Sequence, residues 1–126
     1  MIGLLAIDLP CNHLPSKMPL HMSPRWIELC FQTAGLWEMG TRQRMGLPRH
    51  IDSVLVRSTS EPMNVRLYAV VTPNPANNSF DADVVDASGN PYVHLRGYRT
   101  VAAPISMDAE QVKRLRVLLS PAPVAA

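Results

Sequence analysis

Pro24-Arg25-Trp26-Ile27-Glu28-Leu29-Cys30-Phe31-Gln32-Thr33-Ala34-Gly35-Leu36-Trp37 is an almost wholly apolar helical stretch in which Glu28 and Gln32 are the only strongly polar side chains after Arg25. Residues four apart stack one above the other on a helix, so the two share a face. A carboxylate set among apolar side chains has to be hydrogen-bonded, protonated or used, because burying even a neutral polar group without a partner costs roughly 2–7 kcal/mol. Glu28 is therefore the first residue to explain. Ser23 offers a cap and Pro24 sits where its missing N–H is no loss, while Gly40 is a natural stop. Apolar side chains from Trp26 to Met39 point in nearly every direction around the axis, which predicts a core helix surrounded by protein.

The elements on either side are read from punctuation and alternation. Leu4 to Leu9 is a short apolar run ending at Pro10 and reads as a first strand, and the proline-rich stretch from Pro10 to Pro24 reads as a loop. After a polar connector, four segments have strand character: Ile51–Ser58, Asn64–Thr72, Ser79–Asp86 and Tyr92–Val101. Phe80, Ala82 and Val84 alternate with Ser79, Asp81 and Asp83; Val93, Leu95 and Gly97 alternate with His94, Arg96 and Tyr98. Each strand has one buried and one wet face. Ala87-Ser88-Gly89-Asn90-Pro91 supplies the turn of an antiparallel hairpin. Ser106–Leu119 reads as a serine-capped amphipathic helix with Val112, Leu115 and Leu119 on one face. A strand, a long loop, a buried helix and four antiparallel strands make an α+β chain. The expected architecture is a hot-dog fold, an antiparallel five-stranded or slightly larger sheet wrapped around a long central helix. Residues 1–103 form that domain, 104–120 a helix packing on or extending from it, and 121–126 a tail or linker.

Composition narrows the chemistry. At 126 residues with 47% apolar content the chain has material for one core, and its net charge of +2 is scattered. Arg42, Arg44 and Arg49 have no interleaved aromatics, so nucleic-acid binding is not supported. Cys11 and Cys30 form no metal-type spacing, four histidines share no ligand spacing, and a reducing, cytoplasmic setting without a metal is expected. Met1–Leu9 is too short for a signal peptide or a membrane span.

Several segments together resemble the C-terminal hot-dog half of the dehydratase domain of polyketide synthases and of the related polyunsaturated fatty acid synthases. That family's helix carries a proline, an acid four residues later and then Gln or His another four on, matched here by Pro24, Glu28 and Gln32. Gly46-Leu47-Pro48-Arg49-His50-Ile51 resembles the Leu-Pro opening of its next strand. Phe80–Asp86 and Gly89–Arg99 resemble its last two strands and their turn. The family usually has Asp where this chain has Glu28, although single-hot-dog 3-hydroxyacyl carrier-protein dehydratases use Glu there. The family's catalytic His lies in the N-terminal half, in a His, three residues, Gly pattern absent here. The resemblance implies half of a site.

It also implies what the residues do. Dehydration of a 3-hydroxyacyl thioester needs a base for the proton beside the carbonyl and an acid for the departing hydroxyl. Glu28, its pKa raised by an apolar setting, would be the acid, and Gln32 would orient it or the substrate. Free N–H groups at the helix start near Pro24–Trp26 would polarise the thioester carbonyl. The acyl chain would lie beside Trp26, Phe31 and Met22, with His21 at the entrance. His13, fifteen residues before Glu28 in a segment that resembles the His-Phe-Pro-Gly loop of single-hot-dog dehydratases, is an alternative base. No cofactor is expected to be bound. The substrate would arrive on the phosphopantetheine of an acyl carrier protein, and the site would be completed by a second hot-dog domain, an N-terminal half or a homodimer mate, docked edge to edge. Two competing readings remain: an inactive structural or acyl-binding hot dog, and a stand-alone homodimeric thioesterase or dehydratase.

Overall fold

The computed structural model describes residues 1–11, 13–58, 60 and 62–120. Among them the elements run β1 (Ile2–Leu4), α1 (Pro24–Arg42), β2 (Gly46–His50), β3 (Ser53–Val56), β4 (Leu67–Asn74), β5 (Ser79–Asp86), β6 (Pro91–Ala102) and α2 (Ala109–Leu119). Every strand pairing is antiparallel. The sheet order is β1-β4-β5-β6-β2, with β3 also paired to β6. Since β2 lines the C-terminal half of β6 and β3 its N-terminal half, the two form a single broken edge strand. A six-stranded antiparallel sheet curled against one long helix is a hot-dog fold, as the element order predicts.

Binary patterning produces the core. Trp26, Leu29, Cys30 and Ala34 of α1 face Leu67, Ala69 and Val71 of β4, Phe80, Ala82 and Val84 of β5, and Val93 and Leu95 of β6. Trp37 meets Phe80 edge to face with ring centroids 5.5 Å apart, and Trp26 meets Tyr92 likewise at 5.6 Å. Burial pushes the Cys30 thiol up to about 12, so this cysteine packs as a small hydrophobe, as its setting in the sequence suggests. The β5–β6 turn is held by the Asp86 carboxylate, which accepts from the Ser88 and Asn90 backbone N–H groups and the Asn90 side chain, with Gly89 at φ +84. Those bonds, the Asn90 side chain first, hold the Asp86 carboxyl below the usual range.

Several boundaries and one face differ from expectation. The first strand is only Ile2–Leu4, and β2 lies in the connector that looks polar in sequence. The Ile51–Ser58 run contributes only Ser53–Val56. Ser23 takes the cap position without a side-chain cap, its hydroxyl donating instead to the Ser58 carbonyl. α1 continues past Gly40 to Arg42 and closes on Gln43 in the left-handed region. Gly40 is needed for proximity rather than termination, since Leu115 and Leu119 of α2 pack on it. α2 is capped by Asp108, whose side chain accepts from Glu110 N–H, and not by Ser106. The 121–126 tail lies outside the described residues. Most consequentially, α1 is not surrounded: the sheet covers one side, while Glu28, Gln32 and Leu36 are exposed.

Tyr98 is the second reversal. Strict alternation puts it on the wet face with His94 and Arg96, yet it is 2% exposed. Between the pairs Phe80↔Tyr98 and Ala82↔Leu95, β6 has one residue more than β5, and Gly97 takes φ +65 at that bulge with its N–H donated to Asp81 Oδ1 at 3.0 Å. A bulge shifts the in–out alternation by one residue and re-aims the side chains beyond it. Tyr98 and Thr100 thus turn inward. A Cβ at Gly97 would also collide with the Asp52 carboxylate. Gly97→Ala is expected to lower unfolding stability by about 1–3 kcal/mol, the usual cost of such strained backbone. Chemical denaturation checks it; an unchanged midpoint would contradict the strain at this bulge.

Candidate active site

α1 presents two opposite stripes because residues two apart on a helix differ by about 200°. Trp26, Cys30, Ala34 and Glu38 run down the sheet side, and Glu28, Gln32 and Leu36 down the open side. Glu28 Oε1 accepts from Gln32 Nε2 at 3.2 Å, as their spacing predicts, but the pair is exposed in this chain. The expectation that Glu28 is lodged in an apolar interior is corrected: the buried acid of α1 is Glu38, at 0% exposure.

Two clefts meet at Glu28 and Gln32. One, of about 520 Å³, runs toward the N-terminal loop and is bounded by Leu5, Leu9, Pro10, Pro24 and Arg25. The other, of about 400 Å³, lies between α1 and β2 and is bounded by Phe31, Leu36, Met39, Pro48 and Tyr98. Phe31 stacks on Tyr98 with ring centroids 4.5 Å apart and planes 22° from parallel. Apolar walls around an acid and an amide form a site suited to an acyl group with a polar head. The free N–H groups expected at the helix start are not there as a set: Pro24 has none, and the Trp26 and Ile27 N–H groups donate to the Ser23 carbonyl at 3.1 and 3.2 Å.

The remaining sequence-derived site residues scatter. Phe31 and Pro24 line the two clefts. Trp26 is wholly buried in the core and borders hollows on the loop side, away from the Glu28 clefts. Met22 and His21 are exposed. His13 Nε2 bonds the Met18 carbonyl, and His13 borders a loop hollow with Trp26 and Arg25. Arg25 and the Leu9-Pro10 segment are shared between that hollow and the Glu28 cleft. His94 and Arg96 are engaged by Asp83, at 2.7 and 2.8 Å, and Arg99 by Asp52 at 3.0 Å. The His50 hydrogen bond, then Arg99, holds the Asp52 carboxyl below its usual range.

Glu38, Arg44 and Thr100 form a polar cluster that sequence reasoning missed. Arg44 Nε donates to Glu38 Oε2 at 2.7 Å and Arg44 Nη2 to Thr100 Oγ1 at 2.9 Å, while the Thr100 hydroxyl donates to Glu38 Oε1. Gly46 completes it, since a Cβ there would stand 2.8 Å from Glu38 Oε2. The cluster pins the last turns of α1 to β2 and β6. Its signal in the sequence is position: Glu38 continues the stripe of Trp26, Cys30 and Ala34 at intervals of four.

Fold and site together define a hot-dog domain with an acid–amide pair on the free face of its helix. A protein-family model described as the polyketide synthase dehydratase N-terminal domain matches residues 1–109, and the chain belongs to that family. The description names the N-terminal domain, which corrects the C-terminal assignment drawn from Pro24, Glu28 and Gln32. Strand, loop, helix and sheet come in the same order in any hot dog, so that assignment rested on short motifs alone. No curated protein and no solved structure matches the chain. Among the described residues no helix is long and apolar enough to cross a membrane, and no group of three or more His, Cys, Asp or Glu is placed to hold a metal.

Proposed function

We propose that this chain is a dehydratase-type hot dog whose Glu28 serves as general acid in removing water from a 3-hydroxyacyl thioester carried on the phosphopantetheine of an acyl carrier protein. The observation that carries this reading is the Glu28–Gln32 pair at the junction of two apolar-walled clefts, on the one side of α1 that the sheet leaves open. A second hot dog laid over that side would exclude water from the site. The exposed stripe of Glu28, Gln32 and Leu36 is thereby explained as a half-site rather than a solvated face.

In this reaction a base removes a proton from the carbon next to the thioester carbonyl, and that electron pair becomes the carbon–carbon double bond. The bond from the third carbon to oxygen breaks, and the Glu28 proton passes to that oxygen to release water. Gln32 holds Glu28 in register through the hydrogen bond between their side chains. No histidine borders either Glu28 cleft among the described residues. The base therefore comes from the second hot dog, or from His13 by movement of its loop.

The lack of a histidine in the clefts favours a second reading, in which the domain binds acyl thioesters without turning them over. Incubation of the chain with a 3-hydroxyacyl pantetheine thioester, then mass spectrometry, separates the two. Enoyl thioester, lighter by the mass of one water, supports dehydration; tight binding without mass loss in every paired state supports the acyl-binding reading. Free acid would instead mark a thioesterase.

A further inference from the structure

We infer that Tyr98 is a substrate-contacting residue of this site, its hydroxyl donating a hydrogen bond to the oxygen on the third carbon of the acyl chain beside Glu28. The inference rests on the dehydratase reading and adds a group that neither the motifs nor the family match assigns. Three observations carry it.

The first is the way Tyr98 reaches the site. Continuing the alternation of β6 would put it outside, and only the extra residue at Gly97 turns it in, toward the cleft that Glu28, Gln32 and Phe31 border. Bulges are enriched next to active sites, where a local break in the ladder re-aims the side chains beyond it. The second is its immobility: the ring is fixed on Phe31 and tilted against Phe80 at 6.2 Å, so the hydroxyl has little freedom. The third is the hydroxyl itself. No side-chain hydrogen bond engages it among the described residues, and Tyr98 borders the cleft, where an oxygen of a bound ligand can meet it.

The electrostatics fit a donor rather than a proton-transfer group. Burial first, then the charges of Glu38 and Glu28, push the Tyr98 phenol up to about 12. It therefore keeps its proton throughout the neutral range and through the reaction. As the carbon–oxygen bond lengthens, the departing oxygen accepts the proton from Glu28 and the hydrogen bond from Tyr98. A fixed donor aimed at an oxygen that gains charge acts mainly in the transition state.

Tyr98→Phe keeps the ring, the stacking on Phe31 and the burial, and removes only the donor. In the full chain it is expected to lower kcat by about 100-fold with KM raised by no more than about five-fold, and to leave the thermal midpoint unchanged. Calorimetric affinity for an unreactive 3-hydroxyacyl pantetheine amide should fall roughly five-fold, the size of one lost hydrogen bond. The pH–rate profile of the wild type should contain no limb from this tyrosine below about pH 10. If the wild type is active, Glu28→Gln is not, and Tyr98→Phe matches the wild type in both kcat and affinity, the Tyr98 inference falls while the dehydratase reading stands. If no enoyl product forms but affinity for the amide depends on Tyr98, the contact stands and the dehydration falls. Absence of both binding and turnover overturns both.

Discussion

Glu28→Gln is expected to lower the rate of enoyl thioester formation by about 1,000-fold, the middle of the range that a positioned general acid contributes. The substitution is close to isosteric and leaves an oxygen to accept from Gln32, so the clefts keep their shape. What it removes is a proton acidic enough to leave with the hydroxyl. Because Glu28 lies on the exposed stripe and its side-chain partner is Gln32, the variant should unfold at the wild-type temperature, which isolates chemistry from folding. Binding of the substrate should change little, so the loss belongs in kcat. Product formation that persists in Glu28→Gln at the wild-type rate would remove the acid from the mechanism.

Helical period alone separates the two acids of α1. Wherever Trp26, Cys30 and Ala34 face the sheet, Glu38 has to join them and Glu28, two residues from Cys30, has to face away. The apolar character of the neighbouring side chains obscures this, because Ile27, Phe31, Leu36 and Met39 make the helix look buried all round. Ile27, Phe31 and Met39 are instead half-buried at the margin of the core and Leu36 is exposed, and composition does not distinguish such a margin from an interior. The hot-dog layout itself was legible, since the β5–β6 hairpin, the inward stripe of Phe80, Ala82 and Val84, and the proline at the start of α1 are local signals that agree with one another. β2 escaped because Gly46–His50 contains a proline and two charge-bearing side chains, a pattern tolerated only at a sheet edge. Tyr98 escaped because alternation was read through Gly97, where a glycine inside a strand pattern is itself the warning of a bulge.

Arg44→Met is expected to give the largest loss of stability, about 3 kcal/mol, with a fall of roughly 10 °C in thermal midpoint. Glu38 has no exposure, and its carboxylate is neutralised by Arg44 and hydrogen-bonded by Thr100. Removing the guanidinium leaves a buried charge facing one neutral hydroxyl, which costs far more than losing a surface pair. The figure sits at the low end for buried pairs because the Arg44 side chain retains 31% exposure, so part of its own hydration is already in place. Arg44→Lys should recover less than half: Arg44 reaches Glu38 through Nε and Thr100 through Nη2, and a single ammonium cannot reproduce that fork. Replacing all three partners with apolar residues, Glu38→Leu, Arg44→Met and Thr100→Val, should cost much less than Arg44→Met alone, since no charge is then left unpaired. Equal destabilisation in the triple variant would show that the cluster acts through packing instead. The same experiment reaches the site, because Glu38 and Thr100 hold α1 against the strand that carries Tyr98. Arg44→Met should therefore also weaken turnover at temperatures where the variant remains folded, through the position of Tyr98 relative to Glu28.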